Sequence, residues 1–217
     1  MPTIAFLNQK GGSGKTTISI NVACCLSRQG FKVLLVDSDQ QGSARDWNEQ
    51  NDGDVLNVIG LDRKTLAKDI RAFKDTYDYI VIDGAPQIAE ISGSGVKAAD
   101  LVIIPVQPSP YDIWACGDLV EVIRCRQEVT DGKPKAAFVI SRAIKNTKLS
   151  NEVGVALQEY ELPVLNAYTT QRVVYPTSAA VGKSVFDSSD EMAKKEIDRI
   201  SSECISMLFS EEVVSQS

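Results

Sequence analysis

The sequence has no apolar run approaching the roughly 18 residues that a membrane span needs. Its opening, MPTIAFLNQK, lacks the basic segment that leads a secretory signal. No Cys-x-x-Cys pair occurs, and the five cysteines, Cys24, Cys25, Cys116, Cys125 and Cys204, are scattered along the chain. That scatter fits reduced thiols acting as small buried hydrophobes in a cytosolic protein better than a disulfide framework. There is no surplus of positive charge either. A formal net charge of −6 argues against indiscriminate nucleic-acid binding by the whole surface. Internal repeats, low-complexity tracts and long linkers are also missing. A soluble, cytoplasmic chain without a membrane partner is expected.

What is present suffices for one core. At 217 residues and 43% hydrophobic, the chain can bury a substantial interior as a single domain, expected over residues 1–210 with 211–217 as a frayed, flexible tail. The runs TIAFLN, KVLLVD, YIVID, DLVIIPV and KAAFVI are apolar and β-branched, at the length of buried strands. Helical patterns lie between and after them: Thr16 to Gln29, stopped by Gly30; Asp62 to Lys74, with Asp62 as N-cap; Tyr111 to Val129; and Leu149 to Tyr160. A last helix, from about Ser189 to Phe209, is expected to dock through Met192, Ile197, Ile200, Cys204 and Leu208. Alternating strands and helices imply an α/β fold: a mostly parallel twisted sheet with right-handed crossovers and helices on both faces.

The first strand runs into NQKGGSGKTT. This matches a phosphate-binding loop, G-x-x-x-x-G-K-[ST], except that Gln9 stands where the first glycine belongs and Lys10 follows as a second cation. Gly11, Gly12, Ser13 and Gly14 can turn backbone amides around a phosphate at the positive end of the next helix. Lys15 would reach the β- and γ-phosphates, Thr16 would ligate Mg²⁺, and Thr17 completes the cradle. Two more strands end in carboxylates, Asp37 and Asp39 in VDSDQQGS and Asp83 in YIVIDGAP. In a parallel sheet all three lie beyond the carboxyl ends, beside the loop, as hard oxygen ligands for a hydrated Mg²⁺ or as a group orienting water.

These residues carry a resemblance. KGGSGKTT is similar to the deviant Walker A motif of the ParA/MinD ATPases, whose mark is the early lysine. VDSDQQGS resembles that family's D-x-D-P-Q motif with Gln40 in place of the proline, and YIVIDGAP resembles its Walker B. DLVIIPVQPSPYDIWA is similar to short plasmid-type ParA proteins, and FVISR and TTQRVVYPTSAAVGKSVFD match later segments more loosely. The resemblance implies a single-domain P-loop ATPase using ATP or ADP and Mg²⁺. Lys10 would reach across an ATP-dependent homodimer to the partner's nucleotide, Asp39 would position water, and Thr16, Asp37 and Asp83 would serve the metal. Ser141 stands where relatives often have a base-reading asparagine. Pro176 is carried over as a nucleotide contact, and Arg142 is left open between the base and DNA.

The resemblance also separates subfamilies. Ser189 to Phe209 carries Lys194, Lys195 and Arg199 against five acids, a poor match to an anionic membrane. No cysteine lies near DGAP to hold an iron–sulfur cluster, and Cys116 and Cys125 are nine apart in an expected helix. The strand of the phosphate loop starts within the first few residues, so the short form without an N-terminal DNA-reading domain is expected. Charge is uneven: from Gly132 to Phe186 seven basic residues face three acidic ones, a +4 segment that leaves −10 elsewhere. Lys145, Lys148, Arg172 and Lys183 are the candidate contacts to non-specific nucleoid DNA. The expected function is plasmid or chromosome partition, with a ParB-like or other cargo-bound adaptor stimulating hydrolysis on the nucleoid. The alternatives are positioning of a protein cargo, such as a carboxysome or chemotaxis cluster, and a metabolic P-loop enzyme.

Overall fold

The computed structural model describes residues 1–86, 89–144 and 148–210. Six strands, β1 (Thr3–Phe6), β2 (Val33–Asp37), β3 (Asn57–Gly60), β4 (Tyr79–Asp83), β5 (Leu101–Val106) and β6 (Lys135–Ile140), form one sheet in the order β3-β2-β4-β1-β5-β6. Every pairing is parallel. The helices are α1 (Lys15–Arg28), α2 (Ser43–Glu49), α3 (Leu66–Asp69), α4 (Ala89–Ala98), α5 (Pro110–Trp114), α6 (Gly117–Glu128), α7 (Lys148–Gln158), α8 (Val174–Ala179) and α9 (Glu191–Phe209).

Successive strand side chains point to opposite faces, so β1 feeds two cores. Ile4 and Phe6 pack with Ile18 and Val22 of α1, Trp47 of α2, Tyr175 of α8 and Ile197 and Ile200 of α9. Ala5 and Leu7 pack on the other side with Leu66, Val96, Ile113, Ile123 and Leu157 from α3 to α7. Register aligns the chemistry: Phe6 and Asp37 both pair with Asp83, and Gly60 pairs with Asp37. The loop after β1 and the carboxylates of β2 and β4 therefore share one end of the sheet.

The five expected strands are observed. β3 was not expected: NVIG is four residues long, and as an edge strand it buries neither face fully. Helices α2, α4 and α8 were not expected either. The Tyr111 to Val129 pattern breaks into α5 and α6. The Cys116 amide turns back to the Ile113 carbonyl at 3.0 Å, and the Cys116 thiol takes the Asp112 carbonyl that a continuous helix would have used. The Asp62 to Lys74 pattern yields α3, capped at Thr65 rather than Asp62, followed by a 3₁₀ turn over Ile70–Phe73. In α9, Ile197, Ile200 and Cys204 are buried as expected and Leu208 is partly so, but Met192 is exposed. Four cysteines are buried and Cys125 is exposed, all as free thiols. The 211–217 tail lies outside the described residues.

Candidate nucleotide-binding site

The loop between β1 and α1 is shaped by two glycines with positive φ, Gly12 at 75° and Gly14 at 102°. Side chains rarely tolerate that region. Helix α1 begins at Lys15 with no side-chain cap, so its first amides are unclaimed and lie at the positive end of the helix dipole. The loop carbonyls, by contrast, are tied down. Lys15 Nζ donates to Lys10 O at 3.0 Å, Gln107 Nε2 to Gly12 O at 2.6 Å, and Ser141 Oγ to Ser13 O at 2.6 Å. Asn8 accepts the Lys10 amide at 2.9 Å and donates to Pro105 O at 2.7 Å. With the acceptors bound and nothing within 4 Å of a Cβ at Gly11 or Gly12, the loop offers open space lined by amides. That is an anion site. Burial lowers the Lys15 pKa, while the charges of Asp83 and Asp39 act to raise it.

The three carboxylates have different surroundings. Asp37 is fully buried and already occupied: Oδ1 accepts the Asp39 amide at 3.0 Å, and Oδ2 accepts those of Ala44 and Arg45 at 3.1 and 3.0 Å. It anchors the start of α2 more than it faces a ligand. Asp39 is half-buried, with Oδ1 on the Gln41 amide at 3.0 Å. Asp83 is fully enclosed, and neither of its oxygens makes a hydrogen bond of ordinary geometry among the described residues. Burial pushes its carboxyl up to about 7; the Thr16 hydroxyl, the Lys15 ammonium and the Ser19 hydroxyl pull it down, and the Asp37 charge adds to the rise. An orphaned carboxylate of this kind, beside Thr16, fits a hydrated Mg²⁺. No group of three or more acidic, cysteine or histidine residues among the described ones could cage a metal without help. Thr16, waters and phosphate oxygens would supply most of its shell.

Lys10 does not point into its own loop. Its ammonium sits 2.5 Å from Asp112 Oδ2 on α5, a carboxylate only 5% exposed. Beyond Gly14 opens a cleft of about 950 Å³ lined by Thr17, Ile18, Ser141, Arg142, Tyr175 and Pro176, among others. That is the size expected of a ligand pocket. Arg142 holds a positive φ of 53° and is exposed at its edge.

The DNA candidates are placed unequally. Lys183 is exposed after α8. Lys148 starts α7, and Lys145 lies outside the described residues. Arg172 is engaged by Glu196 at 3.0 Å and Asp190 at 3.2 Å, and is 20% exposed. Gln107, Asn8 and Asp112 were not singled out from the sequence as site residues. Two of them stand in the quoted PVQPSPYD stretch, but spacing alone did not show that β5 runs beside β1.

The model of the CobQ/CobB/MinD/ParA nucleotide binding domain matches residues 4–185. The chain belongs to that family. It is a P-loop ATPase that uses ATP or ADP with Mg²⁺. It is 31% identical over 209 residues to the maintenance of carboxysome distribution protein A of Halothiobacillus neapolitanus, covering 94% of this chain and 96% of the relative. It is 33% identical over 166 residues to the sporulation initiation inhibitor protein Soj of Bacillus subtilis, covering 58% and 66%. Among solved structures, apo McdA from Cyanothece superposes with a TM-score of 0.80 at 18% identity, covering 94% of this chain and 99% of the other. MinD with Mg-ADP from Pyrococcus horikoshii gives 0.72 at 18%, covering 93% and 95%. These structural likenesses speak for the fold. Among the described residues no helix is long and apolar enough to cross a membrane.

Proposed function

We propose that this ATPase positions a large cargo by cycling on and off DNA. The observation that carries the reading is the match over 94% of the chain to a carboxysome distribution protein, which favours a protein cargo. Lys10 in the loop supports it. The shorter match to Soj keeps chromosome or plasmid partition as the second reading.

In this reading ATP closes a homodimer. Lys15 and the loop amides hold the phosphates, and Thr16 and Asp83 would hold a Mg²⁺, which would supply charge neutralisation at the phosphoryl oxygens. Asp37 fixes the segment that bears Asp39. Asp39 orients the attacking water, and Lys10 leaves Asp112 to reach the partner's γ-phosphate. Arg142 and Pro176 border the base. Two copies of the basic segment side by side, through Lys145, Lys148 and Lys183, bind nucleoid DNA without sequence preference. Arg172 is held by two carboxylates and has little left for phosphate. An adaptor on the cargo stimulates hydrolysis and releases the dimer.

The test is filter binding of random duplex across a salt series with ATP, with ADP and without nucleotide. Binding with ATP alone, steeply weakened by salt, is the expected result. Equal binding without nucleotide would remove the switch.

A further inference from the structure

The segment after β2 carries Asp39 on a β-turn. The Gly42 amide closes onto the Asp39 carbonyl at 3.0 Å, which makes Gln40 the second residue of the turn. Proline is favoured there because its ring fixes φ, and this chain has none. Gln40 leaves one more torsion free beneath the carboxylate that must aim a water.

Arg45, in the first turn of α2, spans the turn from below. Its Nη2 donates to the Asp39 carbonyl at 2.8 Å and lies 3.5 Å from the Gln40 carbonyl. Its Nε faces Asp37 Oδ2 at 3.5 Å. One planar guanidinium therefore hydrogen-bonds the carbonyls of Asp39 and Gln40 and sets its charge, without a hydrogen bond from Nε, beside the buried carboxylate that already holds the Asp39 amide. Two glycines make the slot. A Cβ on Gly42 would come within 3.2 Å of Nη2, and one on Gly60 within 3.0 Å of Cδ and Nη1. Gly42 has a positive φ of 72° that itself favours glycine, whereas Gly60 has none, so at Gly60 the close approach is to the Arg45 side chain alone.

We infer that Arg45 is a positioning residue for Asp39, doing by hydrogen bonds what a proline at 40 would do by covalent restraint. The inference rests on the role proposed above for Asp39.

The test uses the full chain: basal kcat and ATP affinity for wild type, Arg45→Ala, Arg45→Lys, Gln40→Pro, the double variant Arg45→Ala/Gln40→Pro, and Asp39→Ala, with melting temperatures for each. The Gln40 amide donates no hydrogen bond among the described residues, so a proline there removes none. Arg45→Ala should lower kcat about tenfold with ATP affinity within about twofold, as misaimed catalytic groups do. Arg45→Lys should recover little, because an ammonium cannot span both carbonyls. The double variant should regain most of the lost kcat. Unchanged kcat in Arg45→Ala overturns the inference. So does a loss that Gln40→Pro fails to rescue, which would make Arg45 only a counter-ion to Asp37. Asp39→Ala hydrolysing like wild type would instead remove the role of Asp39, whatever the Arg45 variants do.

Discussion

Replacing Asp83 by asparagine should stabilise the nucleotide-free protein, and the gain should depend on pH. Asp83 is fully enclosed, neither oxygen hydrogen-bonds in ordinary geometry, and burial holds its carboxyl up to about 7 against an ordinary 3.8. Between those values the folded chain binds a proton that the unfolded chain has lost. Stability therefore falls as pH rises through about 4 to 7 and stays level above it. A rise of about three pK units corresponds to about 4 kcal/mol at pH 8, at 1.36 kcal/mol per unit. Asparagine keeps the shape and carries no charge, so it removes this penalty. Urea unfolding of both proteins without Mg²⁺ or nucleotide, at pH 5, 6.5 and 8, measures the difference. The asparagine variant should be the more stable at pH 8, with the gap shrinking towards pH 5. Adding Mg²⁺ and ADP should stabilise the wild type by more than the variant, in which the loop still holds the phosphates but the carboxylate beside the metal is gone. An Asp83→Asn protein less stable than wild type at pH 8, or a gap indifferent to pH, would refute the reasoning.

Further expectations concern the nucleotide cycle. Lys15→Ala should lose ATP binding, measured by titration calorimetry, whereas Asp39→Ala should bind ATP and dimerise without hydrolysing it. Lys10→Ala should bind nucleotide as a monomer and lose ATP-dependent dimerisation or hydrolysis, read by light scattering with a slowly hydrolysed analogue. Asp112→Asn frees the Lys10 ammonium from a nearly buried carboxylate. Because Lys10 is itself more than a third exposed, the released energy is about 1 kcal/mol, and dimerisation should occur at several-fold lower protein concentration. Lys183→Ala should weaken ATP-dependent DNA binding and flatten its salt dependence. Arg172→Ala should chiefly lower the melting temperature, because it removes the cation shared by Glu196 and Asp190 and leaves Glu196 with Thr170 and Tyr175 and Asp190 with the first amides of α9.

The nucleotide loop was legible because its chemistry is local. Glycines, lysine and threonine lie within eight residues, and a buried strand before and a helix after fix where they point. The parallel sheet was legible for a similar reason, since apolar β-branched runs recur between helical patterns. The supports of the loop were not. Gln107 and Ser141 reach it from β5 and β6, about one hundred residues or more away in sequence, and their partners are backbone carbonyls that no side-chain pattern announces. Lys10 shows the same limit. The extra cation was visible, but its engagement by Asp112 depends on α5 standing beside the loop, about one hundred residues further along the chain.

The least legible element proves to matter to the turn that bears Asp39. β3 is four residues long and half-exposed, with Val58 and Ile59 adjacent rather than alternating with polar residues, so alternation did not reveal it. Yet its pairing with β2 sets Gly60 opposite Asp37, and that pairing forms one wall of the slot in which Arg45 lies. The missing proline at Gln40 was visible in the sequence as a loss of restraint. Its compensation required knowing that an edge strand ends in a glycine where a guanidinium must pass. A Cβ at position 60 would lie 3.0 Å from Cδ and Nη1 of Arg45, so the guanidinium must shift by a few tenths of an ångström while the phosphate loop is untouched. Gly60→Ala should therefore lower kcat in the same direction as Arg45→Ala but by less, at unchanged ATP affinity, and a Gly60→Ala enzyme with wild-type kcat would show that the slot is wider than the structure makes it.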